Sequence, residues 1–264
     1  MKKILYLTNL NNGSREEDDF LAGKLKKYFD LIICHPLECE QHFNSVSGIF
    51  SRNIWPVHEY LDDWKKILDK LKKIKIPVYT PMSGKGDTLG KDYLVDLYEK
   101  KFPVIPSIDN INNLKFLPDT DLFWIKPKEG CDGYGAKKMT KQELLASHLE
   151  NFIIEPFIDF ISEPSFYFID NKFAYAIEMS NRIASEEVKI YHPTETGLIF
   201  AQKFVDWNNL PYGLQRIDGV RTKNGELLLT EVEDLAPYLY LFDIDEKNRE
   251  NIVNMLIDSV LSVF

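Results

Sequence analysis

The sequence predicts an α/β protein in two parts, a small parallel sheet followed by a larger α+β region built from antiparallel strands and hairpins. Three observations predict it. Apolar runs and amphipathic stretches alternate as β-α-β-α-β up to about residue 80, the order of a parallel sheet with helices packed on it. After Pro103–Pro106 the pattern changes to strand pairs joined by short polar turns at Asp170-Asn171 and Asn224-Gly225. A length of 264 residues with 44% hydrophobic content suits one large domain or two modest ones with a full core.

Ile4 to Thr8 is a buried strand by its apolar run. Ser14-x-x-Glu17 is a capping-box signature, and Phe20, Leu21, Leu25 and Tyr28 form the helical stripe behind it. Leu31 to Cys34 is a second strand. Leu61, Trp64, Leu68, Leu71 and Ile74 line one side of a long helix that leads to a short strand, Ile76 to Tyr79. The loop over 80–90, Thr80-Pro81-Met82-Ser83-Gly84-Lys85-Gly86-Asp87, lacks the P-loop spacing and reads as a domain linker. A helix from Leu89 to Lys100 follows.

Asp121 to Lys126 is a strand, Gly130, Gly133 and Gly135 make a turn, and Ala136 to Met139 is the returning strand. Thr140-x-x-Glu143 is a second capping box, opening a helix to Glu150. Phe152 to Glu155 is a strand, and 164–169 with 172–178 form a hairpin. Strands are expected near 198–204, 214–221 and 226–232. The last element is a helix with Ile252, Val253, Leu256, Ile257 and Val260 on its apolar face.

Net charge is -9, from 32 basic and 41 acidic residues, which disfavours a general nucleic-acid binder. Lys65-Lys66 and Lys72-Lys73 decorate a helix face. The apolar run after Met1-Lys2-Lys3 is too short for a signal-peptide core, and no segment reaches the roughly 18 apolar residues of a membrane helix. A cytoplasmic protein without membrane or nucleic-acid partners is expected. Cys34, Cys39 and Cys131 make no disulfide framework. Cys34, His35, Cys39 and His42 cluster, but their spacing matches no usual zinc pattern, and a structural or incidental role is expected.

The chemistry concentrates near the C-terminus. Arg216-Ile217-Asp218, the Asn224-Gly225 turn and Glu231-Val232-Glu233 read as two adjacent strands. Residues two apart share a strand face, so Arg216, Asp218, Glu231 and Glu233 can converge while Ile217 and Val232 face the core. Such carboxylates repel unless a cation sits between them, and Mg²⁺ prefers oxygen ligands completed by nucleotide phosphates. On these residues alone, a solvated hairpin edge is an equal reading. Lys126 closes an apolar strand and opens the glycine loop, where a lysine can reach phosphate as a point charge. Glu155-Pro156-Phe157-Ile158 ends another apolar strand whose backbone can meet an adenine edge. Glu163 follows and can accept from ribose hydroxyls, or be an ordinary surface acid.

The joint order of these motifs resembles the ATP-grasp enzymes. Lys91-Asp92-Tyr93-Leu94 with Phe102-Pro103-Val104-Ile105-Pro106 resembles the stretch that enters the ATP-grasp domain, and Trp124-Ile125-Lys126-Pro127 resembles its "V-K-P" strand. Ile154 to Ile158 with Glu163-Pro164-Ser165-Phe166 resembles the nucleotide hinge and the "G-E-x-S" after it. Gln215 to Val220 resembles "A-R-V-D-G-V", and Glu231 to Pro237 resembles the "E-x-E/N … P" ending. The resemblance spans about 55–242 and is nearest to the glutathione-synthetase-like branch, with peptide-modifying glutamate ligases and D-alanine–D-alanine ligases.

The resemblance implies an ATP-grasp fold in which two α+β lobes sandwich ATP. It implies a pre-ATP-grasp domain over 1–85 and an ATP-grasp domain over 86–264, with a lid at about 107–155 and a C-terminal lobe at about 156–264. It implies an ATP-dependent, ADP-forming ligase joining a small-molecule or peptide carboxylate to an amine through an acyl-phosphate. A non-ligating nucleotide-binding regulator and a kinase on the same fold are the alternatives. Lys91 and Lys126 would contact the phosphates, and the loop with Gly133 and Gly135 would close over them. Glu155, Pro156, Phe157 and Ile158 would meet adenine, and Glu163 the ribose. Asp218, Glu231 and Glu233 would hold one or two Mg²⁺ or Mn²⁺ ions, and Arg216 would stabilise the transferring phosphoryl group. Two residues depart from the pattern: Glu233 stands where many relatives have asparagine, and Glu178 where close relatives often have lysine, a charge that Arg182 can supply, a surface role for Arg182 being an equal reading. Arg52, Trp55 and Arg182 are candidate substrate-carboxylate contacts, and a homodimer is compatible with the family.

Overall fold

The structure, a computed structural model, describes residues 1–9, 15–54, 57–129, 133–180 and 187–264. Its first layer is a four-stranded parallel sheet of β1 (Lys2–Leu7), β2 (Phe29–Cys34), β3 (Gly48–Ser51) and β4 (Val78–Tyr79), in the order β2-β1-β3-β4. From Ile4 to Leu7, β1 is an unbroken apolar run because both its faces are covered there. Ile4 and Tyr6 join the core that holds Leu21, Ala22 and Leu25 of α1 (Arg15–Leu25). Leu5 and Leu7 join the core that holds Trp64, Ile67, Leu68 and Leu71 of α2 (Leu61–Leu71). The alternation is the period of two of a strand sandwiched between helices.

Two parts of this layer differ from the sequence reading. β3 was not anticipated, since Gly48-Ile49-Phe50-Ser51 is only four residues long. The segment from β2 to β3 is a 3₁₀ helix over Pro36–Ser45, opened by the proline and by the His35 side chain accepting from the Leu37 N–H. The first capping box involves Ser14, which lies outside the described residues.

The 80–90 stretch is a packed loop rather than a free linker. Asp234, fully buried, accepts from the Gly86 N–H (2.9 Å), the Thr88 N–H (2.9 Å) and the Thr88 hydroxyl (2.7 Å). α3 (Tyr93–Glu99) follows and buries Tyr93, Leu94 and Leu97.

A three-stranded antiparallel sheet comes next: β5 (Leu122–Pro127), β6 (Lys137–Thr140) and β7 (Phe152–Pro156), with β5 in the middle. Phe123 and Ile125 pack with Leu144 of α4 (Lys141–Ala146), which opens on the expected Thr140/Glu143 capping box.

The largest sheet is antiparallel, in the order β10-β9-β8-β11-β12, from β8 (Phe160–Ile169), β9 (Lys172–Ser180), β10 (Val188–Ile190), β11 (Leu214–Thr222) and β12 (Leu227–Glu233). Phe166, Phe168, Ala176, Ile217 and Val232 on one face pack against α3 and α5 (Glu195–Asn208). Tyr167, Ile169, Tyr175, Ile177 and Leu214 on the other share a core with the parallel sheet and with α6 (Glu246–Val263).

The strand expected at 198–204 lies inside α5. Thr194 caps the helix by accepting from the Gly197 N–H, and Phe200, Ala201, Phe204 and Val205 recur at helical spacing on its buried face. Among the described residues no helix is long and apolar enough to cross a membrane.

Candidate functional site

The carboxylates expected to converge do so. Arg216 pairs with Glu233 and Asp218 with Glu231 across β11 and β12, so all four share one sheet face. Ligand oxygens of Asp218, Glu231 and Glu233 lie within 4.8 Å of one another. At an effective dielectric of 20, two carboxylates at that distance repel by about 3.5 kcal/mol, so the arrangement needs cations.

The chain supplies two. Arg216 reaches Asp218 through Nε (2.9 Å) and Nη2 (2.8 Å), and Glu233 through Nη2 (2.5 Å). Lys91, with its side chain 4% exposed, bridges Glu231 (2.5 Å) and Asp87 (2.7 Å). Burial opposes charge on Lys91, but Asp87 and Glu231 outweigh it and raise its pKa. Burial likewise disfavours the Glu231 carboxylate, yet Lys91 and Lys126 hold its pKa below the usual range. Glu233 goes the other way: burial, with Asp218 and Glu231 beside it, raises its pKa well above that range in spite of Arg216.

The three-stranded sheet presents the opposing wall. Trp124 and Lys126 share one face of β5, and Glu155 on β7 pairs with Trp124. The Lys126 ammonium sits 3.0 Å from the buried Glu155 carboxylate and 3.4 Å from the Thr230 carbonyl of β12, so it spans the two sheets. Glu155 also accepts from the Ser107 hydroxyl at 3.1 Å. Pro156 ends β7, and the Phe157 N–H is committed to the Leu122 carbonyl (2.9 Å), which leaves the adenine reading to the carbonyls and to Ile158. Glu163 shares a β8 face with Ser165, the partner of Asp218, so it stands on the carboxylate face.

Gly133 and Gly135 have φ of 70° and 73°, in the left-handed region, and a Cβ on Gly135 would come 2.9 Å from Pro127. Gly130 and Cys131 of the same loop lie outside the described residues. The loop meets the first layer, where Tyr134 stacks on His58 (3.8 Å between centroids) and Lys65 pairs with Glu129 at 2.6 Å.

Two sequence expectations change, those for Glu178 and Arg52. Glu178 pairs with Pro164, one residue from Ser165, so it points to the sheet face opposite the carboxylates, where it accepts from Ser162 (2.7 Å) and approaches Arg221 (3.7 Å). Its charge does not enter the cluster. Arg52 is 1% exposed and no substrate contact: it pairs with Glu17 and donates to the Pro237 carbonyl (2.8 Å). Cys34 and Cys39 are buried core thiols that burial pushes up to about 12. Trp55 and Arg182 lie outside the described residues.

Sequence reasoning missed Asp87 and Tyr93 as part of this site. The Tyr93 hydroxyl donates to Asp87 (2.9 Å) and accepts from the Val232 N–H (2.7 Å), between the two acids of β12. The only sequence signal was Asp87 standing four residues before Lys91.

No protein-family model matches the sequence, and neither does any curated protein. Solved structures do match, at low identity and near full length. D-cycloserine synthetase DcsG aligns with a TM-score of 0.74 and 17% identity over 97% of this chain and 99% of that one. D-alanine–D-alanine ligase from Bacillus anthracis, complexed with ATP, gives 0.71 and 14% over 99% and 97%. The ATP-grasp ligase PsnB, complexed with a phosphomimetic variant of minimal precursor, Mg and ADP, gives 0.64 and 11% over 96% and 98%.

Proposed function

Because the chain has the ATP-grasp ligase fold, we propose that it is an ATP- and Mg²⁺-dependent carboxylate–amine ligase. The observation that carries this reading is the convergence of Asp218, Glu231 and Glu233 beside Arg216, facing Lys126 and Glu155 across the space between two sheets. Asp218, Glu231 and Glu233 would hold one or two Mg²⁺, or Mn²⁺, which when bound neutralise phosphate charge. Their oxygens fit a hard cation, since they are close enough to repel and already attract two side-chain cations.

In the reaction a substrate carboxylate oxygen attacks the γ-phosphorus of ATP and ADP leaves. An amine nitrogen then attacks the acyl-phosphate carbonyl, phosphate leaves, and an amide remains. The protein contributes position and charge. Arg216 offers a fixed fork to the transferring phosphoryl group. Lys91 and Lys126 take the nucleotide phosphates from two walls, beneath the loop carrying Gly133 and Gly135. Pro156, Phe157 and Ile158 border the adenine, with Glu155 orienting Lys126, and Glu163 serves the ribose. Residues 107–155 act as the lid and 156–264 as the opposing lobe, with 1–85 as the preceding domain. The neighbours include enzymes named for small amino-acid-derived products and one complexed with a precursor, so the acceptors to screen are amino acids and peptides.

ADP release measured over a matrix of carboxylates and amines tests the proposal. Release that needs both, with an amide product found by mass, supports a ligase. Release with one acceptor alone and a stable phosphoester identifies a kinase. Nucleotide binding without release under any pair identifies a regulator.

A further inference from the structure

The three converging acids are already engaged. Arg216 pairs with both Asp218 and Glu233, and Lys91 pairs with Glu231. A divalent ion that takes the Glu231 oxygen held by Lys91 therefore displaces the ammonium from it. The Lys91 side chain is only 4% exposed, so its ammonium needs another acceptor inside the protein. Its second acceptor is Asp87 (2.7 Å), and Asp87 is held in turn by the Tyr93 hydroxyl, which also receives the Val232 N–H of β12. The lysine, its alternative acceptor and the backbone between two candidate metal ligands thus form one connected unit.

We infer that Lys91 is an internal counter-ion of the cation site, and that Asp87 is the positioning residue that keeps it ready to exchange Glu231 for a nucleotide phosphate. The inference rests on the nucleotide reading above and adds a property that reading does not contain. Without nucleotide, Lys91 holds the Glu231 oxygen and like charge repels the metal. Phosphate gives Lys91 a new acceptor, Glu231 is released, and the metal binds. Metal and nucleotide then strengthen one another by the same factor, as linkage requires, on the order of the 5- to 150-fold typical of coupled sites.

Mn²⁺ binding to the full chain, followed by electron paramagnetic resonance with and without ADP, tests this. Lys91→Met should strengthen Mn²⁺ binding in the absence of ADP by roughly tenfold, within that coupling range, while weakening ADP binding. Lys91→Arg, which keeps the charge, should leave Mn²⁺ binding weak. Asp87→Asn, isosteric and therefore gentle on the fold, should weaken Mn²⁺ binding, because Lys91 is left with Glu231 alone. The double variant decides between exchange and simple electrostatics. If Asp87 acts through Lys91, Asp87→Asn has no effect in the Lys91→Met background. Additive effects, or Mn²⁺ affinity unchanged by Lys91→Met in folded protein, overturn the inference. Wild-type protein that binds Mn²⁺ but no ADP overturns the nucleotide reading instead, and the Mn²⁺ cycle then still judges Lys91 as the counter-ion of the site.

Discussion

Arg216 shows how one side chain can define a site. Its guanidinium satisfies Asp218, Glu233 and the Tyr238 carbonyl (3.1 Å), and lies 5.9 Å from the Tyr167 ring centre. Asp218→Asn keeps the shape and removes one negative charge, so MgADP stabilisation in a thermal-shift assay should largely disappear while the metal-free melt changes little. An unaltered MgADP shift would take Asp218 out of the site. A second residue makes a prediction about pH. Asp18 accepts from Thr8 (2.6 Å) and Asn53 (3.1 Å), and burial raises its pKa from 3.8 to about 6. The folded protein keeps this proton to about pH 6, whereas the unfolded chain releases it near 3.8. Its contribution is therefore full below about pH 4 and lost as pH rises through 6, a change of about 3 kcal/mol. Asp18→Asn should remove that slope, so the melting-temperature gap between variant and wild type should widen in the variant's favour from pH 4 to 7.

At the scale of elements, the 80–90 loop is docked on Asp234 through Gly86 and Thr88. A Cβ at Gly84 would collide with the Asp234 carboxylate, and one at Gly86 with the Val232 carbonyl. Gly86→Ala should cost about 1–3 kcal/mol in urea unfolding, as an overpacked site does, and should weaken nucleotide binding as well, since Asp87 and Lys91 follow directly. A variant with wild-type stability would mean the loop is not docked in solution. Strand pairs with a turn residue at each end were legible in the sequence, among them β8–β9 at Asp170-Asn171 and β11–β12 at Asn224-Gly225, and they brought the acids together in the expected register. α5 was not legible. Leu198-Ile199-Phe200 looks like a strand locally, and only the packing of Phe200, Ala201, Phe204 and Val205 against the central sheet reveals a helix. Asp87 was hidden for a related reason, because its partners Tyr93 and Lys91 reach the Val232 N–H and Glu231 of β12 only through tertiary packing.

At the scale of the whole molecule, the parallel sheet and the large antiparallel sheet share one core. Tyr167, Ile169, Tyr175 and Ile177 of the large sheet pack in the same cluster as Ile4, Tyr6, Phe50 and Tyr79. A polar pin reinforces the junction. Glu17 receives the Leu239 and Leu241 N–H groups, both at 3.0 Å, while Arg52 takes the Pro237 carbonyl. Arg52 also lies 3.3 Å from Asp18, so Arg52→Met would leave the Glu17 and Asp18 carboxylates buried without their cation and should cost about 3–5 kcal/mol, read as a fall in the urea midpoint. The fragment 86–264 should lack a cooperative thermal transition, because the cut bares the face built on those four large-sheet residues. A sharp melt for that fragment would show two independent folding units. Trp124, beside Lys126 on the inner face of β5 and 6.5 Å from Phe157, gives the small wall an optical reporter. An adenine docking there would alter its emission, so occupancy of the cleft becomes measurable by fluorescence before any acid or amine acceptor is known.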